Sequence, residues 1–188
     1  DLIRTGSLYH DVGKLHAPDW FIENQKDGPN PHDALDDPQA SAAVLQAHVD
    51  EGLKLARRHR LPRPIADFIP EHQGTLKMGY FLHKAQERGE VVEERRFRYR
   101  GPEPRSKETA ILMLADGCEA ALRSLPPDTS DAQAVDTVQR IVEARQRDGQ
   151  LRKSSLTRSE VELVIRAFVQ VWRRMRHRRI PYPIPARR

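Results

Sequence analysis

Five side chains that could bind metal ions lie in or beside apolar segments of the sequence: His10, Asp11, His48, His72 and Asp116. Taken singly, His48 or Asp116 would more simply be a core residue whose polar atoms find a hydrogen bond. Burying three imidazoles and two carboxylates in one helical core is costly, however, unless they share a cation. The set therefore predicts a metal centre assembled from distant parts of the chain.

Three neutral imidazole nitrogens and two carboxylates form a mixed donor set. Such a set suits Mn, Fe, Zn or Ni better than a calcium cage or a thiolate site. Asp11 follows His10 directly, so it is the carboxylate best placed to bridge two ions. Two ions roughly 3.5 to 4 Å apart would share a hydroxide that attacks phosphorus at neutral pH. We therefore expect phosphoester hydrolysis, with Asp11 as a catalytic residue.

A histidine followed by an aspartate is a weak signal alone, because the sequence contains two such doublets, His10-Asp11 and His32-Asp33. The first ends an apolar helical segment, and Gly13 then permits a sharp chain exit, with a lysine next to it. The second lies in a long segment rich in Pro, Gly, Asn and Asp, where local turn hydrogen bonds are the expected role. Only the first doublet is assigned to the metal centre.

Apolar residues at helical spacing place the candidate ligands on a series of helices. His10 lies at the end of a helix predicted from residue 2 to 15, which closes near Gly13. His48 lies on the buried stripe of a helix predicted from 38 to 59. His72 falls at a helix end, and Asp116 lies in the middle of a helix with Leu112 on the same face.

The remaining start and stop signals complete a prediction of an all-α bundle with six or seven helices. Ser106 is expected to cap one helix and the capping box Thr157–Glu160 another. A long loop at residues 16–36 is expected to be functional, because loops of that length are uncommon inside a domain. Residues 90–105 are expected to form a second loop or a ragged ribbon. The other predicted helices comprise a short one from Pro64, one ending near residue 88, and helices at 107–125, 131–147 and 158–177.

The composition excludes several classes of protein. Charged residues make up 31% of the 188 residues, yet aliphatic residues recur in blocks, which indicates a globular chain. The formal net charge of +5 is concentrated in residues 95–100 and at the C-terminus. Such clusters are more typical of solvated or membrane-proximal surfaces, so no stable nucleic-acid binding is expected. The single cysteine, Cys118, excludes an internal disulfide and suits a reducing compartment.

Four segments together resemble the cytosolic HD domain of the seven-transmembrane HD-family cyclic-di-AMP phosphodiesterases. They are SLYHDVGKLHAPDWFIENQ, NPHDALDDPQASAAVLQAHVDEGLKLA, IPEHQGTLKMGYF and GPEPRSKETAILMLADGCEAA, in this order over residues 1–125. RRIPYP near the end resembles the tail of the family. The resemblance implies a helical HD fold with two Mn or Fe ions that hydrolyses cyclic-di-AMP to linear pApA.

Carried over to this sequence, the resemblance implies that the five candidate side chains are metal ligands, with Asp11 as the bridge. It also implies that Lys14 lies beside the site, where its charge would neutralise a phosphate oxygen. Two features depart from the family pattern. A further histidine ligand would precede Asp1, so we expect one ion to be weakly held. Gln73 stands where many members have a second histidine, and its amide would bind weakly, leave a water in its place or only hydrogen-bond.

Substrate contacts are expected from the loop at 16–36, from the stretch 101–107 and from the helix break after His72. The backbone N–H groups of Gly74 and Thr75 are candidates for binding a phosphate, with an ordinary turn as the alternative. The stretch from residue 101 to 107 supplies Lys107 as a further candidate. Trp20, Phe21 and Tyr80 would either stack on adenine or, as we favour, pack in the core.

The chain starts with Asp rather than Met, and the resemblance places it after a membrane-embedded region, on the cytosolic side of a longer protein. We predict a single, N-terminally truncated HD domain over 1–188. It would consist of a metal-site core at 1–125, C-terminal helices at 126–177 and an extended basic tail at 178–188. Two alternatives stay open: an HD phosphohydrolase of another nucleotide, and a degenerate module that binds nucleotide or a partner without turnover.

Overall fold

Helices and short 3-10 turns make up the regular structure of the chain. The computed structural model describes residues 1–25 and 29–176, so the predicted extended tail lies outside the described residues. Within those ranges there is no strand, only an isolated bridge between Lys77 and Arg98, so the all-α prediction is confirmed. The α-helices are α1 Leu2–Tyr9, α2 Pro31–Leu35, α3 Pro38–Arg58, α4 Arg63–Ala66, α5 Phe68–Glu71, α6 Gly79–Glu87, α7 Lys107–Arg123, α8 Asp131–Arg147 and α9 Arg158–Arg176.

Side-chain caps fix the starts of the long helices. Asp37 caps α3 by accepting bonds from the N–H groups of residues 39 and 40, at 2.9 and 3.0 Å. Ser106 forms a capping box at the start of α7, as predicted, and Ser130 forms one for α8. The predicted box before α9 also forms, because Glu160 accepts a bond from the N–H of Thr157 at 2.9 Å. These bonds satisfy N–H groups that a helix start would otherwise leave unpaired.

Two hydrophobic clusters hold the helices together. One lies among α7, α8 and α9, and the other packs α3 against α6 and the 3-10 turn Glu94–Phe97. Tyr99 packs against both clusters and therefore links the two halves of the core. Buried side chains of the first cluster include Met113, Leu114, Val138 and Val142, and those of the second include Phe81, Leu82 and Phe97.

The predicted helix from 2 to 15 is wrong in its second half. Helix α1 ends at Tyr9, and residues Val12–His16 form a 3-10 turn. The turn packs closely on α3, since a Cβ atom on Gly13 would lie 1.8 Å from the carbonyl oxygen of His48. A regular helix continued through these residues would carry the backbone away from that contact.

The predicted loop at 16–36 is also more ordered than expected. Its described residues contain the 3-10 turns Pro18–Trp20 and Ile22–Asn24, and α2. Short elements such as α2, α4 and α5 explain why the described chain has more helices than predicted. Six of its helices have eight or more residues, in agreement with the predicted long ones. None of the described helices is both long and apolar enough to span a membrane.

Candidate metal centre

Four separate elements bring the candidate ligands to one place. His10 directly follows α1, Asp11 precedes the 3-10 turn, His48 lies on α3 and His72 caps the end of α5. Asp116 lies on α7 and lines the same cavity as His10, Asp11 and His48. The structure therefore brings four of the five predicted side chains into contact, and it places Asp116 in the wall of the same cavity.

Asp11 lies at the centre of this cluster. One of its carboxylate oxygens, Oδ1, is 3.3 Å from His72 Nε2 and 3.5 Å from His48 Nε2. The other oxygen, Oδ2, is 3.1 Å from His10 Nε2 and 2.6 Å from Lys14 Nζ. Donor atoms of His10, Asp11 and His72 all lie within 4.8 Å of one another. Such spacing allows these atoms to coordinate a common ion.

Backbone carbonyls determine which nitrogen each histidine turns toward Asp11. A carbonyl oxygen can only accept a hydrogen bond, so an Nδ1 atom facing it carries the ring proton in a neutral imidazole. All three Nδ1 atoms have such a partner, which leaves every Nε2 with a free lone pair. The bonds run from His10 to Ser7 at 2.7 Å, from His48 to Leu45 at 2.6 Å and from His72 to Ile69 at 2.7 Å.

These lone pairs fit a bound cation. In the described part of the chain, His10 Nε2 and Asp11 Oδ1 are buried without a hydrogen-bond partner. The Nε2 atoms of His48 and His72 are 3.4 Å apart, and neither has a proton to offer the other in this tautomer. Lone pairs facing one another and a carboxylate repel, whereas a divalent ion would satisfy all of them. The residues present therefore suit a divalent metal.

The electrostatics of the cluster favour positive charge beside Asp11. Burial opposes ionisation of Asp11, but the neighbouring imidazoles of His10 and His72 outweigh burial and hold the pKa of the carboxyl well below its usual range. Burial likewise opposes charge on His10, yet the adjacent Asp11 carboxylate raises the pKa of that imidazole. Burial and the neighbouring His72 lower the pKa of His48 to about 4, which keeps it neutral and available as a ligand.

Lys14 is held beside the carboxylate by three contacts. Its ammonium pairs with Asp11 and with Glu23, and it lies 5.0 Å from the centre of the Phe21 ring. Burial opposes the charge, but the Asp11 carboxylate outweighs it and raises the pKa of Lys14. Lys14 is therefore a fixed cation next to the metal cluster. Sequence analysis missed Glu23, because nothing in its spacing linked it to Lys14.

The cluster forms part of the wall of a cavity of about 730 Å³. Trp20, Phe21 and Gln73 also line it, and Phe21 packs edge-on to His48 with ring centres 5.5 Å apart. Phe21 is thus both a buried residue and a cavity wall. Tyr80 is 66% exposed and is absent from the described lining, so its predicted place in the core is wrong.

Three predicted substrate contacts lie away from this cavity. The N–H of Gly74 donates to Pro70, and that of Thr75 donates to Gln150 at 3.0 Å, so neither is free for a phosphate. Lys107 pairs with Glu160 at the start of α9 at 2.5 Å. The phosphate role of Gly74 and Thr75 therefore gives way to the alternative of loop packing, because their N–H groups are already used. The role of Lys107 in substrate binding stays a prediction.

The role predicted for His32 is also wrong. His32 lies in α2, is 8% exposed, and its Nε2 is 3.1 Å from the carbonyl oxygen of Trp20, twelve residues away. The local bond expected for a polar turn is made by Asn30, which caps α2. His32 therefore anchors α2 to the wall of the cavity.

A buried ion pair supports the end of α5. Glu71 is 1% exposed and accepts bonds from Arg105 N and Nε at 2.8 and 2.7 Å, and from Thr109 Oγ1 at 2.7 Å. Glu71 precedes His72, and Thr109 lies in the first turn of α7. The hydrogen bond between Glu71 and Thr109 therefore joins two elements that carry candidate ligands. The glutamate of the segment PEHQG was present in the sequence but was not selected.

Comparison with known proteins agrees with this geometry. A family model described as HD domain matches residues 1–121. An uncharacterized protein of Synechocystis, slr0104, is 50% identical over 97% of this chain and 23% of its own length. The cyclic-di-AMP phosphodiesterase PgpH of Bacillus subtilis is 37% identical over 97% of this chain and 25% of its own length. The chain thus spans about a quarter of the length of these relatives.

The fold also matches a solved structure. The PgpH HD domain of Listeria monocytogenes in complex with cyclic-di-AMP superposes with a TM-score of 0.88 at 34% sequence identity. The match covers 93% of this chain and 80% of that domain. The similarity therefore extends over nearly the whole chain.

Proposed function

The chain belongs to the HD domain family, and from this premise we propose that it is a metal-dependent phosphodiesterase domain that hydrolyses cyclic-di-AMP to linear pApA. The observation that carries the proposal is the convergence of three histidine Nε2 lone pairs on Asp11 in a cavity wall. Two of the relatives are named cyclic-di-AMP phosphodiesterases, which supports the choice of substrate.

We assign the metal ligands to the five side chains of the cluster, with Asp11 in the bridging position. Two divalent ions, Mn or Fe, would supply an activated water and neutralise charge on the phosphate. Gln73 lines the cavity beside these residues, and as an amide it would hold an ion more weakly than an imidazole. The ligands would be His10, Asp11, His48, His72 and Asp116.

The protein side chains around the cluster have distinct tasks in this proposal. The backbone carbonyls fix the ring orientations of the three histidines, so the donor atoms do not have to reorganise when an ion binds. Lys14, held by Asp11 and Glu23, would stabilise the charge that develops on a phosphate oxygen during attack by water. Phe21 and Trp20 would limit the access of bulk water and provide apolar area for a base.

We further propose that the described helices form one HD domain on the cytosolic side of a longer membrane protein. The chain covers about a quarter of each curated relative, which leaves room for the membrane region implied by the sequence resemblance. Anionic lipid would then be the neighbour of the basic clusters.

The presence of Gln73 in the cavity wall favours one alternative, a module that binds a nucleotide but turns it over slowly or not at all. Hydrolysis and binding have to be measured separately to distinguish the two. Another nucleotide as substrate is the remaining alternative, because metal ligands define the reaction class rather than the substrate.

The test is turnover of cyclic-di-AMP, cyclic-di-GMP and bis-p-nitrophenyl phosphate by the Mn-loaded protein. We expect cyclic-di-AMP to be preferred and a chelator to abolish turnover. Asp11→Asn should lose more than about a hundredfold in kcat, since it removes the carboxylate that the cluster shares. Asp50→Asn is the matched control, because Asp50 lies on α3 but pairs only with exposed Arg100 among the described residues.

Three results would contradict parts of the proposal. Turnover of cyclic-di-GMP alone would overturn the substrate assignment. Unchanged turnover in Asp11→Asn would remove Asp11 from the mechanism. Tight binding of cyclic-di-AMP without hydrolysis under any divalent metal would establish the binding module instead.

A further inference from the structure

The charges around the cavity leave one cation without a strong partner. Four acidic side chains line the cavity, namely Asp11, Glu23, Asp116 and Glu119. Among the described residues, the lysine and arginine side chains in the lining are only Lys14 and Arg123. Lys14 is already held by two carboxylates. Arg123 is therefore the lining cation that is most available to pair with a dianionic substrate.

Arg123 lies on the same face of α7 as Asp116. The two residues are seven positions apart, which is nearly two helical turns and about 10 Å along the axis. Long side chains on a helix lean toward its N-terminus, so the guanidinium of Arg123 extends back in the direction of Asp116. Its pairing with Glu119, one turn closer to Asp116, follows the same direction.

The existing ion pair of Arg123 is weak. The distance from its Nε to Glu119 Oε1 is 3.7 Å, and the two side chains are 51% and 57% exposed. Such a pair contributes little and can be exchanged for a better acceptor. A phosphodiester group is such an acceptor, because the planar guanidinium can donate two parallel bonds to its two free oxygens.

A cyclic dinucleotide has two phosphodiester groups, and hydrolysis to the linear product breaks only one. The group that is cleaved must lie at the metal cluster, and the second must lie elsewhere in the cavity. We propose that Arg123 binds the second, uncleaved phosphodiester of the substrate and so selects cyclic dinucleotides over simple phosphodiesters. This inference rests on the proposed phosphodiesterase function and adds a specificity-determining residue to it.

The test compares a substrate that has two phosphodiesters with one that has a single phosphodiester. In Arg123→Gln, the ratio of kcat/KM for cyclic-di-AMP to that for bis-p-nitrophenyl phosphate should fall about tenfold, mainly through KM. Arg123→Lys keeps the charge but loses the two-bond geometry, so its substrate ratio should lie between that of the wild type and that of Arg123→Gln. Arg140→Gln is the matched control, since Arg140 pairs with Asp136 on α8 and is absent from the cavity lining.

A binding measurement separates this inference from the hydrolysis itself. Calorimetric titration with a non-hydrolysable bis-phosphorothioate analogue of cyclic-di-AMP should show about tenfold weaker binding to Arg123→Gln than to the wild type. An unchanged substrate ratio together with unchanged analogue affinity would overturn the role of Arg123. If the wild type binds the analogue but hydrolyses neither substrate, weaker binding to Arg123→Gln still supports that role, whereas the proposed hydrolysis fails. No binding of the analogue by the wild type would overturn both.

Discussion

At the scale of single residues, the chemistry of the cluster depends on the hydrogen bonds that the Nδ1 atoms of its histidines make to the backbone. Each histidine donates its Nδ1 proton to a backbone carbonyl of its own segment, three residues earlier. This bond is local in sequence, so each ligand is oriented as soon as its own helix or turn forms. The convergence on Asp11 then requires only that the elements pack.

His48 gives this arrangement a measurable pH dependence in the metal-free protein. Its pKa is about 4 in the fold and 6.5 as a free side chain, so between these values the unfolded chain binds more protons. The free energy of unfolding should therefore fall as the pH drops from 6.5 to 4, by up to about 3 kcal/mol from this residue. Urea unfolding across this range measures the effect.

Comparison of variants isolates the contribution of His48. His48→Gln stays neutral at every pH, so its stability should change less than that of the wild type between pH 6.5 and 4. His83→Gln should keep the wild-type slope, because His83 is an exposed histidine whose side chain is 72% accessible. Equal slopes in His48→Gln and the wild type would show that His48 does not titrate at a lowered pKa.

Gln73 offers a second prediction at this scale. It lines the cavity beside the cluster, where the resemblance leads us to expect a histidine in many relatives. Gln73→His should bind Mn more tightly, by about ten- to a hundredfold, since it replaces an amide oxygen with an imidazole. Metal retained after dialysis against a weak chelator measures this. Equal retention by Gln73→His and the wild type would mean that the side chain at 73 does not reach an ion.

At the scale of elements, the candidate ligands were found from sequence because their type conflicts with their surroundings. A carboxylate or imidazole on an apolar stripe is visible as a pattern, and helix periodicity gives its face. The contacts of Thr75 and Lys107 could not be predicted from the local motif, because their partners, Gln150 and Glu160, lie far away in sequence. Arg123 could have been found, since its seven-residue spacing from Asp116 is visible in the sequence.

The end of α1 shows why element boundaries are harder to predict than their faces. Nothing in the local sequence distinguishes a helix that continues to residue 15 from one that ends at Tyr9. The end of α1 is determined by packing on α3, because the 3-10 turn contacts α3 through the backbone at Gly13 and Gly52. The presence of glycine at both positions is the only local trace of that tertiary contact.

Gly13→Ala should break this contact. Its Cβ would lie 1.8 Å from the carbonyl oxygen of His48 and 2.4 Å from the nitrogen of Gly52, and backbone atoms cannot move aside as a side-chain tip can. We expect a loss of about 3 kcal/mol or more in the free energy of unfolding, with loss of metal binding. Chemical denaturation and metal analysis measure the two effects.

Gly79→Ala is the control for that substitution. A Cβ at Gly79, the first residue of α6, meets no atom within 4 Å. Alanine is also the better helix former, so this variant should be neutral or more stable by about 0.5 to 1 kcal/mol. If Gly13→Ala behaved like Gly79→Ala, the close packing of the turn on α3 would be refuted.

At the scale of the whole molecule, α7 connects the metal cluster to the C-terminal helices. It contacts α1 and α5, which precede His10 and His72, and on its other sides it packs against α8 and α9. Tyr99 and the Glu71–Arg105 pair add further links between the two parts of the core. The described helices should therefore unfold as one cooperative unit, and metal binding at the cluster should stabilise all of them.

This coupling predicts the response of the melting temperature to metal. At an ion concentration a hundred times the dissociation constant, binding adds about 2.7 kcal/mol to the free energy of unfolding. For a chain of 188 residues this corresponds to a rise of about 5 to 10 °C in Tm, within a single transition. Asp11→Asn should lose the rise, and Asp50→Asn should keep it. An equal rise in Asp11→Asn would place the stabilising ion elsewhere. Two separate transitions, of which only one responds to Mn, would instead show that α8 and α9 fold independently of the cluster, despite their contacts with α7.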